Sequence, residues 1–162
     1  MAKIIMICGK ICSGKSTYSE KLKNEINAVV LSCDELMLTL FEEQLGDKHN
    51  DLVKKCSTYL YNLAQEIIKA NTNVILDWGS WTKEGRKNTI EFFKSKNIEV
   101  EMHYINVDEN TRISQIEKRN SLVQEGKTKA YYVDENLKKK SEKIFEEPSN
   151  DEEYFLIDHI SK

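Results

Sequence analysis

The chain has 162 residues, a net charge of −3 and an ordinary share of hydrophobic residues, 40%. This length suits one domain with a sizeable core, so we expect a single domain over residues 1–162 and no dedicated surface for long nucleic acid. Neither a charged leader nor a long apolar segment is evident, which predicts a cytoplasmic protein without a membrane span.

Short apolar runs alternate along the chain with segments of helical periodicity. We predict five strands, at Lys3 to Cys8, Ala28 to Ser32, Asn73 to Asp77, Glu99 to Val107 and Tyr154 to Ile157. We predict six helices, at Ser16 to Asn24, Glu35 to Leu45, Asn50 to Ala70, Thr82 to Lys96, Glu109 to Val123 and Asp134 to Glu146. This alternation indicates a parallel sheet covered on both faces, which is a three-layer α/β sandwich.

Directly after the first predicted strand, residues 9–16 read Gly-Lys-Ile-Cys-Ser-Gly-Lys-Ser. This is a complete Gly-x-x-x-x-Gly-Lys-Ser phosphate loop in the strand-to-helix context that the motif requires. Glycines leave the backbone N–H groups free to surround phosphates, and the helix that begins near Gly14 directs its positive end at them. We predict that a nucleotide is bound by Gly9, Ile11, Cys12, Ser13, Gly14, Lys15, Ser16 and Thr17.

Three side chains have specific predicted tasks around this loop. We expect Lys15 to reach the β and γ phosphate oxygens as a catalytic residue, and Ser16 to bind Mg²⁺. Asp77, at the end of the third predicted strand, is the second predicted metal ligand, and an ordinary turn residue is its alternative. ATP and Mg²⁺ are therefore the predicted cofactors, since the chain has no Asn-Lys-x-Asp guanine signal.

Asp34 follows the second predicted strand, at the sheet edge where open parallel sheets bind their ligands. We predict that its carboxylate faces the γ phosphate, contacts the substrate and takes a proton from an acceptor hydroxyl. The alternative is that Asp34 only caps the helix that begins at Glu35.

Arginine is rare in this chain, with three residues against 21 lysines, and all three arginines fall beside the predicted cleft. Arg112 and Arg119 are seven apart on one predicted helix and share a face, which we expect to lie opposite apolar residues such as Ile116. We predict both as catalytic residues that neutralise the transferring phosphoryl group from a lid at about residues 112–135. Exposed surface positions are the alternative.

Trp78 and Trp81 flank a short loop after the third predicted strand. We predict that they wall the acceptor pocket together with Arg86, while packing beneath the loop is an equal alternative for the two indoles. A small hydroxylated molecule is the expected acceptor, with nucleic acid disfavoured but left open. Because the sheet satisfies the apolar stripes, we expect a monomer or a weak dimer.

Several segments together resemble the small P-loop kinases known as AAA family ATPase or predicted kinase. These are relatives of the polynucleotide 5′-kinase domain, zeta toxin and chloramphenicol phosphotransferase. The segments are the phosphate loop, Ser32 to Met37, Val74 to Trp81 with Arg86, Arg112 to Asn120, and Phe145 to Pro148.

The resemblance implies a nucleoside-kinase-like P-loop NTPase fold with sheet order 2-3-1-4-5. It also implies ATP with Mg²⁺, Asp34 as the base, lid arginines near Arg112 and Arg119, and a nucleotide base close to residues 145–148. Polynucleotide kinases carry Arg where this chain has Met37, so a 3′-phosphate contact does not carry over.

The leading hypothesis is transfer of the γ-phosphate of ATP to a hydroxyl of a small molecule. Two alternatives stay open. One is a kinase for nucleoside, nucleotide or polynucleotide 5′-hydroxyls, and the other is a non-catalytic ATP-dependent switch whose lid recruits a protein.

Overall fold

The computed structural model of the protein describes residues 1–41 and 45–158. Within them, five strands form one parallel sheet in the order β2-β3-β1-β4-β5. The strands are β1 (Ile4–Cys8), β2 (Ala28–Leu31), β3 (Asn73–Leu76), β4 (Val100–Asn106) and β5 (Phe155–Asp158). The predicted strands, their parallel pairing and the sheet order are confirmed.

Six α-helices surround this sheet in the described part of the chain. They are α1 (Lys15–Ile26), α2 (Cys33–Leu40), α3 (His49–Lys69), α4 (Lys83–Lys94), α5 (Glu109–Gln124) and α6 (Glu135–Ile144). The second helix is shorter than the predicted Glu35 to Leu45, because the chain turns extended at Phe41 and Leu45 precedes a separate 3₁₀ turn, Gly46–Lys48. The rest of that prediction, residues 42–44, lies outside the described residues.

The central strand β1 is buried along its whole length and separates two apolar cores. Ile4 packs with side chains of α2, α3 and α4, whereas Ile5 and Ile7 pack with Leu22 of α1 on the opposite face. This alternation follows from the two-residue period of a strand, and it places helices on both faces as expected for a parallel sheet.

The parallel register brings the loops after β1, β2 and β3 to the same edge of the sheet. The amide of Asp77 donates to the carbonyl oxygen of Leu31 at 2.9 Å. The amide of Gly9 donates to the carbonyl oxygen of Gly79 at 3.4 Å. The residues that follow these three strands therefore meet at one place. None of the helices in residues 1–41 and 45–158 is long and apolar enough to cross a membrane.

Candidate nucleotide and catalytic site

The phosphate loop connects β1 to α1 with a backbone that two glycines make possible. Gly14 lies at the N-cap of α1 with φ of 95°, a left-handed value that disfavours a side chain. A Cβ on Gly9 would lie 2.6 Å from the Ser13 hydroxyl oxygen and 3.0 Å from the carbonyl oxygen of Ile105. A Cβ at position 9 would therefore force the loop or its neighbours to shift.

Inside this loop, one side chain is tied down and one lacks a partner. The Lys15 ammonium donates to the carbonyl oxygens of Gly9 at 3.2 Å and Lys10 at 2.7 Å, so the side chain folds back over the loop. The hydroxyl of Ser13 is buried and has no hydrogen-bond partner among the described residues. Because an unsatisfied buried polar group is costly, a ligand oxygen is its natural partner.

Lys15, Ser16 and Asp77 converge where β3 ends beside the start of α1. Burial raises the pKa of Asp77, while a hydrogen bond from the Ser16 hydroxyl and the charge of Lys15 act in the opposite direction. Burial lowers the pKa of Lys15, opposed by the carboxylate of Asp77 and then by other groups that include Asp34. The structure thus brings these four predicted residues within electrostatic reach of one another.

Asp34 lies in the first turn of α2, but it is not the cap of that helix. Ser32 is the N-cap, and its hydroxyl oxygen accepts a 3.2 Å hydrogen bond from the amide of Glu35. The Asp34 side chain is thus free of the capping task and is exposed to solvent. The surrounding protein nevertheless raises its pKa by desolvation, opposed by Arg119, Lys15 and His49.

His49 is a neighbour of the site that the sequence did not reveal. It is the first residue of α3, and its protonated form would lower the pKa of Asp34. Its ring meets the ring of Tyr131 edge-on, with centroids 6.4 Å apart and planes at 75°. No local motif surrounds His49, so only the entry of α3 into the cleft identifies it.

One face of α5 lies directly on the tip of the phosphate loop. Arg119 donates from Nη1 to the Cys12 sulfur at 3.5 Å and from Nε to the carbonyl oxygen of Tyr131 at 3.0 Å. Ile116 lies between the two arginines of this helix and packs against Ile11. The expectation that Ile116 lies opposite the arginines is therefore corrected, because positions four and seven after Arg112 share one helix face.

Arg112 is buried, and carboxylates surround its guanidinium. Nε and Nη2 donate to the two oxygens of Glu109 at 3.0 and 2.7 Å, and Nη2 also pairs with Glu142 of α6. Nη1 donates to the carbonyl oxygen of Ile11 in the phosphate loop at 3.4 Å. In this arrangement the side chain contacts the backbone of the phosphate loop, and a catalytic role for Arg112 stays a prediction.

Arg86 lies in the interior, whereas we expected it to line the acceptor pocket. Its exposed fraction is 0%. Nε and Nη2 bind the carboxylate of Glu152 at 2.7 and 3.0 Å, and Nη1 donates to the carbonyl oxygens of Ser80 and Glu146. With its donors used in this way, the guanidinium is not available to an acceptor.

The two tryptophans differ in their surroundings. Trp78 is half-buried and stacks on Tyr61 of α3, with ring centroids 5.7 Å apart and planes at 20°. Trp81 lies against Gly79, where a Cβ would come within 2.0 Å of its indole nitrogen, and that buried nitrogen has no partner among the described residues. Both half-buried rings lie at the loop after β3, and their role as walls of an acceptor pocket stays a prediction.

The segment implied to lie near the nucleotide base is attached to the same loop. The amide of Glu146 donates to the carbonyl oxygen of Trp81 at 2.7 Å, and its carboxylate accepts from the amide of Lys83 at 2.6 Å. Phe145 lies against Tyr104 of β4. The nearness of this segment to a nucleotide base stays a prediction.

A phosphate loop between the first strand and first helix of a 2-3-1-4-5 parallel sheet defines a P-loop protein with the kinase-type sheet. The chain matches the AAA domain family over residues 4–145. Since this match spans most of the chain, the protein belongs to that family. No curated protein matches the chain.

Solved structures of P-loop kinases and related proteins share this fold. Kti12 of Chaetomium thermophilum in complex with ADP-AlF3 is 16% identical, with 96% of this chain and 88% of that chain covered and a TM-score of 0.69. APS kinase CysC of Mycobacterium tuberculosis, in complex with AMPPNP and APS, is 14% identical, with coverage of 99% and 90% and a TM-score of 0.64. A gluconokinase of Sinorhizobium meliloti is 13% identical, with coverage of 96% and 82% and a TM-score of 0.63. At such identities the likeness establishes the fold alone.

Proposed function

We propose that the protein is an ATP-dependent phosphotransferase that moves the γ-phosphate of ATP to a hydroxyl of a small molecule. The observation that supports this is the convergence of Lys15, Asp77 and Asp34, from three different segments, at one edge of the sheet. Phosphoryl transfer requires a cation for the phosphates, a ligand for the metal and a base or orienting group for the nucleophile. These three side chains have the chemistry for those three tasks.

The residues of the loop fit a bound nucleotide. The buried Ser13 hydroxyl lacks a partner among the described residues, and a phosphate oxygen of a bound nucleotide would supply one. Ser16 and Asp77 offer the hard oxygen ligands that Mg²⁺ prefers, and such sites draw their other ligands from phosphates and water. When bound, Mg²⁺ supplies neutralisation of the charge on the phosphates.

In this proposal the Asp34 carboxylate accepts a hydrogen bond from the acceptor hydroxyl and then takes its proton. A carboxylate whose pKa is raised by desolvation is a stronger base than an ordinary surface aspartate. Ser32 already caps α2, which leaves the Asp34 side chain available for this task. Arg119, held between Cys12 and Tyr131 on the same side, would stabilise negative charge on the transferring group.

A small acceptor is favoured by two facts. The chain carries a net charge of −3, which does not match a long polyanion. Two structures of similar fold are named as kinases of small molecules, gluconokinase and APS kinase. We therefore propose a small hydroxylated compound, and a 5′-hydroxyl nucleic acid is the outcome that would replace it.

The experiment is transfer from γ-³²P-ATP, with and without Mg²⁺, to a panel of gluconate and other sugars, nucleosides, adenosine 5′-phosphosulfate and a 5′-hydroxyl oligonucleotide. Asp34→Asn is the test variant, and Asp51→Asn, an exposed acid of α3, is its matched control. A labelled small product made by wild type and the control, but not by Asp34→Asn, would support the proposal. Phosphate release that is equal in all three proteins, with no labelled acceptor, would favour a nucleotide switch instead.

A further inference from the structure

The start of α5 and the end of α6 are joined behind the phosphate loop. Arg112 is 1% exposed and pairs with Glu142, 30 residues further along the chain. The same guanidinium binds Glu109 on its own helix and donates to the carbonyl oxygen of Ile11. One side chain thus links α5, α6 and the loop.

A single guanidinium suits this position because it presents five donors in a fixed plane. The two carboxylates on Arg112 are partly open to water, with exposed fractions of 52% for Glu109 and 38% for Glu142. They neutralise the buried cation from the solvent side. On the inner side, Ile11 is followed by Cys12, whose left-handed backbone (φ 57°) forms the tip of the loop.

We propose that Arg112 is a positioning residue that fixes the tip of the phosphate loop through the Ile11 carbonyl, with Glu142 holding the guanidinium in place. This inference rests on the proposed nucleotide site and assigns Arg112 no contact with the phosphates. Arg119, seven residues further on, remains the arginine that reaches toward the cleft.

The direct alternative is that Glu142 keeps Arg112 from binding the nucleotide. The two hypotheses predict changes of opposite sign in the nucleotide affinity of Glu142→Ala. If the pair fixes the loop, Glu142→Ala weakens nucleotide binding, as Arg112→Met does. If Glu142 withholds the arginine, Glu142→Ala frees it to bind phosphate and tightens nucleotide binding. Glu117→Ala, which changes an exposed glutamate of α5, is the matched control.

The test is a fluorescence titration with mant-ADP and Mg²⁺, with thermal unfolding as a check on folding. We expect the Kd to rise about tenfold for Arg112→Met, the size of one lost charge-assisted hydrogen bond, and less for Glu142→Ala. Because both changes break one link, the double variant should bind no more weakly than Arg112→Met alone. Tighter binding by Glu142→Ala, or fully additive losses, would overturn the inference.

A second readout needs no nucleotide. Of the four cysteines, Cys12 is half-buried and the other three are buried, so a thiol reagent such as DTNB reports on the loop tip. Arg112→Met and Glu142→Ala should speed labelling, and adding Cys12→Ser should remove the fast phase. Unchanged labelling would refute the proposed link between Arg112 and the phosphate loop. Failure of the wild type to bind mant-ADP would instead refute the proposed function, and the thiol test would still apply.

Discussion

Replacing Arg86 by Met tests the internal role that the structure gives this residue. Methionine keeps most of the apolar stem and removes the guanidinium that joins α4 to the segment before β5. Four hydrogen bonds are lost: two to the carboxylate of Glu152, at 2.7 and 3.0 Å, and two to the carbonyl oxygens of Ser80 and Glu146, at 3.0 and 2.8 Å. Glu152 then keeps its charge with a side chain only 12% exposed.

Removing one partner of a buried ion pair costs about 3–5 kcal/mol, mainly because the other charge is left without compensation. We therefore expect Arg86→Met to lower the free energy of unfolding by about 4 kcal/mol, out of a total of about 5–15 kcal/mol for such a domain. At about 2–4 °C per kcal/mol, the melting temperature should fall by roughly 8–16 °C. The double variant Arg86→Met/Glu152→Gln should lose less free energy of unfolding than Arg86→Met alone, because no buried carboxylate stays unpaired.

The assay is urea unfolding of these variants beside Lys87→Met, whose exposed side chain should change stability by no more than about 0.5 kcal/mol. The pH adds a sign. The Arg86 hydrogen bond holds the pKa of Glu152 below its usual 4.5, so the stability that the pair contributes is present above pH 4.5 and lost as the pH falls through the lowered pKa. The gap between wild type and Arg86→Met should therefore narrow in acid.

A loss of less than about 1 kcal/mol in Arg86→Met would refute the internal role. So would a double variant that costs as much as its two single changes added together. If Arg86→Met instead kept its stability and raised only the KM for an acceptor, Arg86 would be the substrate residue that the sequence predicted.

Three expectations concern the site itself. Asp34→Asn should lower transfer at least about a hundredfold and leave nucleotide affinity nearly unchanged; in wild type the rate should fall as the pH drops through the raised pKa of Asp34. Lys15→Ala should weaken both binding and transfer, and unimpaired ATP binding in a titration would contradict it. Gly9→Ala brings a methyl group within 2.6 Å of the Ser13 hydroxyl, so mant-ADP affinity should drop about tenfold, and full affinity would show that the loop adapts.

The sheet and the phosphate loop were predictable because their signals are local. A run such as Ile4 to Cys8 has the length and β-branched content of a buried strand, and the loop motif that follows has a fixed spacing. The order of the strands came from the resemblance to a family. For α2, apolar residues continue past its end, and periodicity alone therefore placed the helix boundary too late.

The surroundings of the site were less predictable because long-range partners determine them. Its place in the sequence predicted Arg86 beside the cleft. In the structure the guanidinium instead binds Glu152, 66 residues away, in the interior. His49 shows no motif and enters the site only through the start of α3. For Asp34 the deciding contact is local. The hydroxyl of Ser32, two residues earlier, caps the helix, so Asp34 is not the cap.

The scarcity of arginine in this chain has a physical reading once the partners are known. Arg86, Arg112 and Arg119 each join segments that are distant in sequence, and each uses at least one acceptor that is a backbone carbonyl. A lysine has one compact charge with three tetrahedrally arranged donors, whereas a guanidinium presents five donors in one plane and binds several coplanar acceptors with less loss of side-chain freedom. Arg86→Lys and Arg112→Lys are therefore severe changes in this protein, although both keep the charge.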